Sequence, residues 1–234
     1  MKKLVIIPAY NEQGNILKTV NDVRTNAPDF DYVIINDCSK DDTLKICREQ
    51  GLNVVSLPLN LGIGGGVQTG YRYARDHGYD VAVQFDGDGQ HNAAYLEAMV
   101  QKLTAEQLDM VIGSRYIEKK GFQSSGLRRV GIRYFTWLIH VLTGTVITDP
   151  TSGMRLCNRE LICRFAEDYP RDYPEPESVT AVLREGRAVR EIPVEMNERA
   201  EGKSSISARN SVYYMIKVSI AVLMAATKRR EKKV

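Results

Sequence analysis

The chain has 234 residues, 43% hydrophobic and 26% charged, which predicts a single α/β domain with one substantial core. Its net charge of +3 is too small to indicate a nucleic-acid partner by bulk attraction. The four cysteines show neither C-x-x-C pairs nor disulfide spacing, which predicts free thiols in the cytoplasm. The apolar stretch 4–7 is too short for a signal-peptide core or a membrane span, so nothing there predicts export.

Short β-branched runs in the first half predict buried strands at 4–7, 32–35, 54–57, 81–85 and 110–112. Segments with helical periodicity alternate with them, near 12–26, 41–50, 65–77 and 92–103. This alternation predicts a mainly parallel sheet covered on both faces. Ligands of such sheets bind beyond the carboxyl ends of the strands, so the residues that follow each run are the place to look for chemistry.

The second half is less regular than the first. It contains an apolar segment at 132–142, a polar loop at 148–153 and a predicted strand at 189–195. We see no linker or repeat that would divide it into a second domain.

Asp86-Gly87-Asp88 directly follows a predicted strand. Two carboxylates that flank a glycine can hold Mg²⁺ or Mn²⁺ while the backbone approaches a diphosphate closely. Gln90 can orient a phosphate or a metal-bound water, and His91 is expected to support the site from behind. The alternative is an acidic turn, although the position after a buried strand favours metal binding.

Two other strand ends suit a nucleotide. Residues 8–12, Pro-Ala-Tyr-Asn-Glu, offer an aromatic face and a carboxylate for a nucleoside, and Asp37 adds a second acceptor. The alternative for 8–12 is a proline turn that starts a helix. The glycine run at 60–66 lacks the Lys-Ser or Lys-Thr ending of a P-loop, so it predicts either phosphate contact or close helix packing.

In this order, P-A-Y-N-E at 8–12, N-D-C-S-K-D-D-T at 36–43, N-L-G-I-G-G-G at 60–66 and D-G-D-G-Q-H at 86–91 resemble the family 2 glycosyltransferases with the GT-A fold. G-S-R-Y at 113–116, D-P-T-S-G-M-R at 149–155 and R-A-E-G-K-S at 199–204 are similar to the polyprenyl-phosphate sugar transferases, the branch that contains dolichyl-phosphate mannose synthase. Asn36 and Ile63 depart from the pattern, since many relatives have Asp and Lys there.

The resemblance implies a Rossmann-like GT-A fold and an inverting transfer of a sugar from a nucleotide-sugar donor, with UDP preferred to GDP. It implies nucleotide binding by Pro8, Tyr10, Glu12, Asp37, Gly62 and Asp86. It implies a metal site of Asp86, Asp88 and Gln90 that holds Mg²⁺ or Mn²⁺. The implied catalytic residues are Asp88, Asp149 and Arg199, with Arg199 as the clamp on the diphosphate.

The implied acceptor is a polyprenyl phosphate, bound by Arg115, Arg128, Arg129 and Ser152. A phosphate oxygen is already anionic near neutral pH, so no strong base is needed. A saccharide hydroxyl is the alternative acceptor, and it would need a base from among Asp149, Glu175 and Glu177. Surface solvation is the alternative for Arg128 or Arg129 taken alone. A nucleotide-sugar-binding subunit without turnover is a third hypothesis.

Residues 1–206 are predicted to form the catalytic domain, and 207–234 an amphipathic helix with a basic tail. The apolar segment 212–227 would be about 24 Å long as a helix, short of a bilayer core of roughly 30 Å. The basic tail after it predicts peripheral binding at the inner, cytoplasmic face of a membrane, or recruitment by a small membrane protein. Packing on the core or on a partner is the alternative, and homo-oligomerisation is left open.

Overall fold

The computed structural model describes residues 1–118, 126–197 and 208–227. Arg199 and the rest of the segment 199–204 lie outside these residues, as does the basic tail after 227.

The described residues contain seven strands, all in one sheet. The strands are β1 Lys3–Ala9, β2 Asp31–Asn36, β3 Val54–Ser56, β4 Val81–Gln84, β5 Met110–Ser114, β6 Arg155–Asn158 and β7 Val189–Pro193. Their spatial order is β3-β2-β1-β4-β6-β5-β7. β6 runs antiparallel to both of its neighbours, and every other pair is parallel.

Helices cover both faces of this sheet. They are α1 Ile16–Asn26, α2 Thr43–Glu49, α3 Gly62–Asp76, α4 Leu96–Ala105, α5 Gly126–Thr143, α6 Arg159–Glu167, α7 Pro174–Arg184 and α8 Ala208–Thr227. A 3₁₀ turn, Ala93–Tyr95, precedes α4. The predicted α/β fold, a mainly parallel sheet flanked by helices, is confirmed.

Three elements of the second half were not predicted: β6, α6 and α7. β6 is only four residues long and has no apolar run, so its sequence gives little signal. The helices do have signals at their starts. The Asn158 side chain accepts a hydrogen bond from the Leu161 N–H at 3.0 Å, an N-cap of α6. Pro174 begins α7, and two glutamates follow in its first turn.

The core lies in two layers, one on each face of the sheet, because side chains alternate along the central strand β1. Leu4 and Ile6 pack with α3, α5, α6, α7 and α8 on one face. Val5 and Ile7 pack with α1, α2 and α4 on the other. Leu4, Val5, Ile6 and Ile7 are all completely buried, so β1 lies between the two layers of the core.

The C-terminal helix α8 belongs to the first of these layers. Its Val218 and Val222 are completely buried against the rest of the protein. One face of α8 therefore packs on the core, as one of the two sequence readings expected. Among the described residues, none of the helices combines the length and the hydrophobicity needed to cross a bilayer.

Candidate active site

The sheet has its switch point between β1 and β4, because the chain leaves β1 towards β2 on one side and returns as β4 on the other. Ligands of open α/β sheets bind in the crevice at this point. The loop that follows β1 meets the loop that follows β4 there. The Gly87 N–H donates to the Pro8 carbonyl at 3.3 Å. A Cβ at position 87 would lie 2.9 Å from that carbonyl oxygen, so this close approach requires glycine.

The 8–12 loop is shaped by an unusual backbone conformation at Asn11, whose φ is +58°. The Asn11 N–H donates to Ser39 Oγ at 3.0 Å, and the Glu12 N–H donates to Thr43 Oγ1 at 2.9 Å. Helix α1 starts only at Ile16, so residues 12–15 form a turn and not the first helical residues that the sequence suggested. Tyr10 is 43% exposed, as a stacking platform for a base requires.

Asp37 joins the ends of β1 and β2 to the glycine run. Its N–H donates to the Ala9 carbonyl at 2.9 Å, and its Oδ1 accepts the Leu61 N–H at 2.7 Å. Asp37 is only 4% exposed. Its contact with a nucleoside stays a prediction, while its two hydrogen bonds fix the glycine run to the ends of β1 and β2.

The glycine run starts helix α3 and packs closely against other elements. A Cβ on Gly64 would overlap the backbone of Pro170 and Arg171. A Cβ on Gly70, one turn and a half later, would overlap Ile6 of β1. Of the two alternatives for the run 60–66, the structure supports close packing at Gly64. Gly62 has a φ of +75° and begins the helix at the site edge.

Asp86 is fixed by three neighbours. Gln84 Nε2 donates to Asp86 Oδ1 at 3.1 Å, and His91 Nε2 lies 3.1 Å from Asp86 Oδ2. Because a carboxylate only accepts, the imidazole donates this bond from Nε2. The His91 Nδ1 atom is buried without a hydrogen-bond partner among the described residues. His91 is 4% exposed, so it orients the Asp86 carboxylate from the protein interior, the supporting position that the sequence predicted.

The third neighbour of Asp86 is Gly153. A Cβ built on Gly153 would lie 2.5 Å from Asp86 Oδ2 and 3.0 Å from Oδ1. The 149–153 loop therefore passes directly against the carboxylate. Only glycine leaves Asp86 in its observed position, which sequence reasoning did not anticipate.

Asp88 is 8% exposed, and its Oδ1 accepts the Gln90 N–H at 3.1 Å. Gly89 between them has a φ of +75°, which favours glycine and folds the loop back on itself. The Gln90 carbonyl accepts the Asn197 N–H at 2.8 Å, so this loop is also tied to the segment after β7.

The predicted metal ligands Asp86, Asp88 and Gln90 offer oxygen atoms, which Mg²⁺ and Mn²⁺ accept as ligands. Within 1–118, 126–197 and 208–227, no group of three or more His, Cys, Asp or Glu side chains is arranged to hold a metal ion. Magnesium is usually bound by one or two protein carboxylates and completes its shell with water and substrate phosphates. A pair of carboxylates at a strand end fits that chemistry.

β6 brings the 149–153 loop to this edge. Arg155 opens β6 and pairs with Gln84 at the carboxyl end of β4, because β6 runs antiparallel. Arg155 is 1% exposed. Its guanidinium donates to the carbonyls of Pro150, Ser152 and Glu175. This buried cation, absent from the predicted site, ties the loop to the start of α7.

Arg115 and Asp149 form a buried, bidentate ion pair. Arg115 Nε lies 2.6 Å from Asp149 Oδ2, and Nη2 lies 2.8 Å from Oδ1. Thr151 Oγ1 donates to the same carboxylate at 3.2 Å. Burial lowers the pKa of Arg115, but the Asp149 carboxylate outweighs it and the pKa is raised. This geometry argues against Asp149 as a base and against Arg115 as the acceptor's phosphate ligand, since each is held by the other.

Ser152 is also held by the protein. It is 1% exposed, and its hydroxyl donates to the Gly113 carbonyl at 2.6 Å. The Ser152 hydroxyl is therefore not exposed to an acceptor, and the geometry gives Ser152 a structural role.

Glu191 of β7 holds the same loop. Its carboxylate accepts hydrogen bonds from the N–H groups of Thr148 and Asp149 at 2.8 and 2.9 Å. Burial raises the pKa of Glu191.

Glu175, in the first turn of α7, interacts electrostatically with Arg155 and Asp86. Burial raises the pKa of its carboxyl, the charge of Arg155 lowers it and the charge of Asp86 raises it, so that the net effect is a raised pKa.

Of the predicted phosphate ligands, Arg129 is exposed on α5, and Arg128 lies in the same helix with its side chain outside the described set. Arg199 is outside the described residues.

The family profile of glycosyl transferase family 2 matches residues 4–165. The chain therefore belongs to this family, as the sequence motifs indicated. Its relatives include polyprenyl-phosphate sugar transferases, which confirms the suspected branch.

One of these relatives is the UDP-N-acetylglucosamine–dolichyl-phosphate N-acetylglucosaminyltransferase of Methanococcus voltae, 32% identical over 70% of this chain and 72% of the relative. Another is the undecaprenyl-phosphate mannosyltransferase of Micrococcus luteus, 27% identical over 88% of each chain. Among solved structures, glucosyl-3-phosphoglycerate synthase of Mycobacterium tuberculosis, crystallised with Mn²⁺ and UDP, superposes with a TM-score of 0.72. At 18% identity, over 100% of this chain and 82% of that one, this likeness shows the fold.

Proposed function

We propose that this chain transfers a sugar, with inversion, from a nucleoside diphosphate donor to a polyprenyl phosphate in cell-surface glycan synthesis, and that UDP is preferred to GDP. The observation that carries the proposal is the meeting of the loops 8–12, 86–90 and 149–153 at the switch point, with Asp86 and Asp88 between them. The acceptor class is supported by relatives named for dolichyl phosphate and undecaprenyl phosphate.

In this reaction an oxygen of the acceptor phosphate attacks the anomeric carbon opposite to the diphosphate, and the bond to the diphosphate breaks. Asp86, Asp88 and Gln90 would hold Mg²⁺ or Mn²⁺, which neutralises the departing diphosphate. Gln84 and His91 keep the Asp86 carboxylate in place for this task.

Donor and acceptor are bound by other residues of the crevice. Tyr10, Glu12, Asp37, Pro8 and Gly62 line the nucleoside side in this proposal. Arg199 clamps the diphosphate, and Arg128 and Arg129 bind the acceptor phosphate. Arg115 acts through its ion pair with Asp149, which fixes the 149–153 loop against Asp86.

A saccharide hydroxyl is the second candidate for the acceptor, because Glu175 has the raised pKa that suits a general base. Its raised pKa brings it closer to neutral pH, and it stands at the start of α7 near Asp86. In that reaction Glu175 takes the proton of the attacking hydroxyl. Asp149 is less suited, since Arg115 holds both of its oxygens.

We place the enzyme at the inner face of the membrane, because a polyprenyl phosphate is held there by its lipid chain. The basic tail that follows α8 suits the anionic cytoplasmic leaflet.

The test is release of nucleoside diphosphate from UDP- and GDP-sugars with Mg²⁺ or Mn²⁺, with and without a short, water-soluble polyprenyl phosphate. Asp88→Asn should abolish turnover, while Asp29→Asn, at an exposed position at the opposite end of the sheet, should not change it. Turnover that requires metal and lipid phosphate supports the proposal. Turnover only with a saccharide acceptor would replace it by the second candidate.

A further inference from the structure

Helices α5 and α8 lie side by side and expose apolar side chains in one continuous band. Tyr134 of α5 and Ser219 of α8 are hydrogen bonded, with 3.1 Å between their hydroxyl oxygens. Their inner sides are buried, for example at Phe135 and Val218. We call the exposed band the outer face; it consists of Val130, Tyr134, Trp137, Val141, Tyr213, Ile216, Ile220, Leu223 and Met224.

The outer face is too apolar to be an ordinary solvated surface. Trp137 is 57% exposed and Met224 is 64% exposed, and seven further large side chains accompany them. On α8 the exposed residues recur at 213, 216, 220, 223 and 224, which is one stripe of a helix. A contiguous apolar surface of this kind indicates an interaction site.

The charged side chains of the two helices themselves are all basic, and Asp172, which pairs with Lys217 of α8 at 2.7 Å, is an acidic neighbour of the outer face. α5 has 18 residues and α8 has 20, and neither contains Asp or Glu, although the chain has 29 of them. Arg129, Arg133 and His140 are exposed on one flank of α5. At helical spacing this flank is opposite to Gly131, which approaches Met215 of α8. In the sequence, five Lys and Arg follow α8 within residues 228–233.

This combination fits an anionic lipid surface better than a second copy of the chain. Two copies that met through this face would bring like positive flanks together, which disfavours the contact. A leaflet with anionic headgroups offers opposite charge to the flank and apolar acyl chains to the band. Trp and Tyr are also the side chains that favour the boundary between headgroups and hydrocarbon.

We propose that α5 and α8 together form a membrane-docking surface, which lies in the plane of an anionic bilayer with Trp137 and Ile220 among the inserted side chains. The proposal goes beyond the C-terminal segment alone, since half of the surface comes from α5. It rests on the proposed function only in its purpose, which is to bring the site to a lipid-borne acceptor.

Flotation of the full-length protein with vesicles tests the proposal. We expect binding to vesicles of phosphatidylcholine with phosphatidylglycerol, weaker binding to phosphatidylcholine alone, and loss of binding at high salt. The double variant Trp137→Gln, Ile220→Gln should bind at least about tenfold more weakly. Arg133→Gln should bind about fivefold more weakly, the effect of one basic group near the surface.

Leu17→Gln is the matched control, because Leu17 is an exposed apolar residue of α1, on the opposite face of the sheet. It should bind vesicles like the unchanged protein. The proposal is overturned if the double variant binds as well as the control, or if no vesicle is bound. A dimer in solution that the double variant abolishes would also overturn it, in favour of a second copy.

Turnover separates this proposal from the proposed function. With a short, water-soluble polyprenyl phosphate and no vesicles, the double variant should keep the kcat of the unchanged protein. Turnover of an acceptor embedded in anionic vesicles should fall by the same factor as vesicle binding. Vesicle binding by a protein that turns over no lipid phosphate would refute the proposed function and leave the docking surface standing.

Discussion

A methyl group at position 153 should displace the Asp86 carboxylate. The Cβ of Gly153→Ala would lie 2.5 Å from Asp86 Oδ2, whereas ordinary contact begins near 3.4 Å. The loop has little freedom to retreat, because the Ser152 hydroxyl is bonded to the Gly113 carbonyl and Arg155 holds the carbonyls of Pro150 and Ser152. The carboxylate must therefore move by about 1 Å, and a misplacement of that size lowers a rate by about 10²-fold.

We expect Gly153→Ala to fold, with the free energy of unfolding reduced by about 1–3 kcal/mol for the overpacking. The assay is release of nucleoside diphosphate at increasing concentrations of Mn²⁺ or Mg²⁺. The kcat should fall by about 10²-fold, and half-maximal activity should need more metal, since one of the proposed ligands has moved.

Gly66→Ala is the matched control for this variant. A Cβ on Gly66 would have Pro8 Cβ as its nearest neighbour, at 3.8 Å, an ordinary contact inside helix α3. Its kcat should change by less than about threefold, and its stability should rise by up to about 1 kcal/mol. If folded Gly153→Ala has the activity and metal dependence of the control, Asp86 does not act as we propose.

Three further predictions concern the groups around this loop. Arg115→Met leaves the Asp149 carboxylate buried without its counterion. Urea denaturation should therefore show a loss of about 3–5 kcal/mol in the free energy of unfolding. A loss below about 1 kcal/mol would contradict a stabilising ion pair. Glu191→Ala leaves two backbone N–H groups without their acceptor. We expect the free energy of unfolding to fall by about 1–3 kcal/mol and the kcat to fall as well. An unchanged kcat would show that the loop does not need this support. Glu175 holds its proton more tightly in the folded state, so the stability that this proton confers is present below its usual pKa of 4.5 and is lost as the pH rises through the raised value. The free energy of unfolding of the unchanged protein should therefore decline relative to Glu175→Gln as the pH rises above 4.5, and parallel curves would refute the raised pKa.

The first half of the fold could be read from local patterns. Strands β1, β2, β4 and β5 each contain a run of buried β-branched residues, and runs of this kind are visible without any tertiary information. The rule that ligands bind at the carboxyl ends of parallel strands then directed attention to Asp86 and Asp88. Both aspartates lie in the loop that follows β4, at the carboxyl edge of the sheet, and their role as metal ligands stays a prediction.

The second half of the site was less predictable, for two reasons. β6 is short and has no periodicity, so its antiparallel insertion between β4 and β5 was missed. Arg155, which that strand delivers to the site edge, was missed with it. Glycine at 153 was part of a recognised motif, but its role depends on where the loop lies relative to Asp86.

By itself the sequence determined the family, the α/β class and the strand ends at which the candidate site lies, because these follow from short motifs and local periodicity. Only the tertiary structure decided that Arg115 and Asp149, 34 positions apart, neutralise each other, and that α5 and α8 share one exposed apolar face. Such pairings depend on register and burial across the whole sheet. The sequence shows that a side chain is charged or apolar, but it does not show whether that side chain contacts a substrate, a lipid or another part of its own chain.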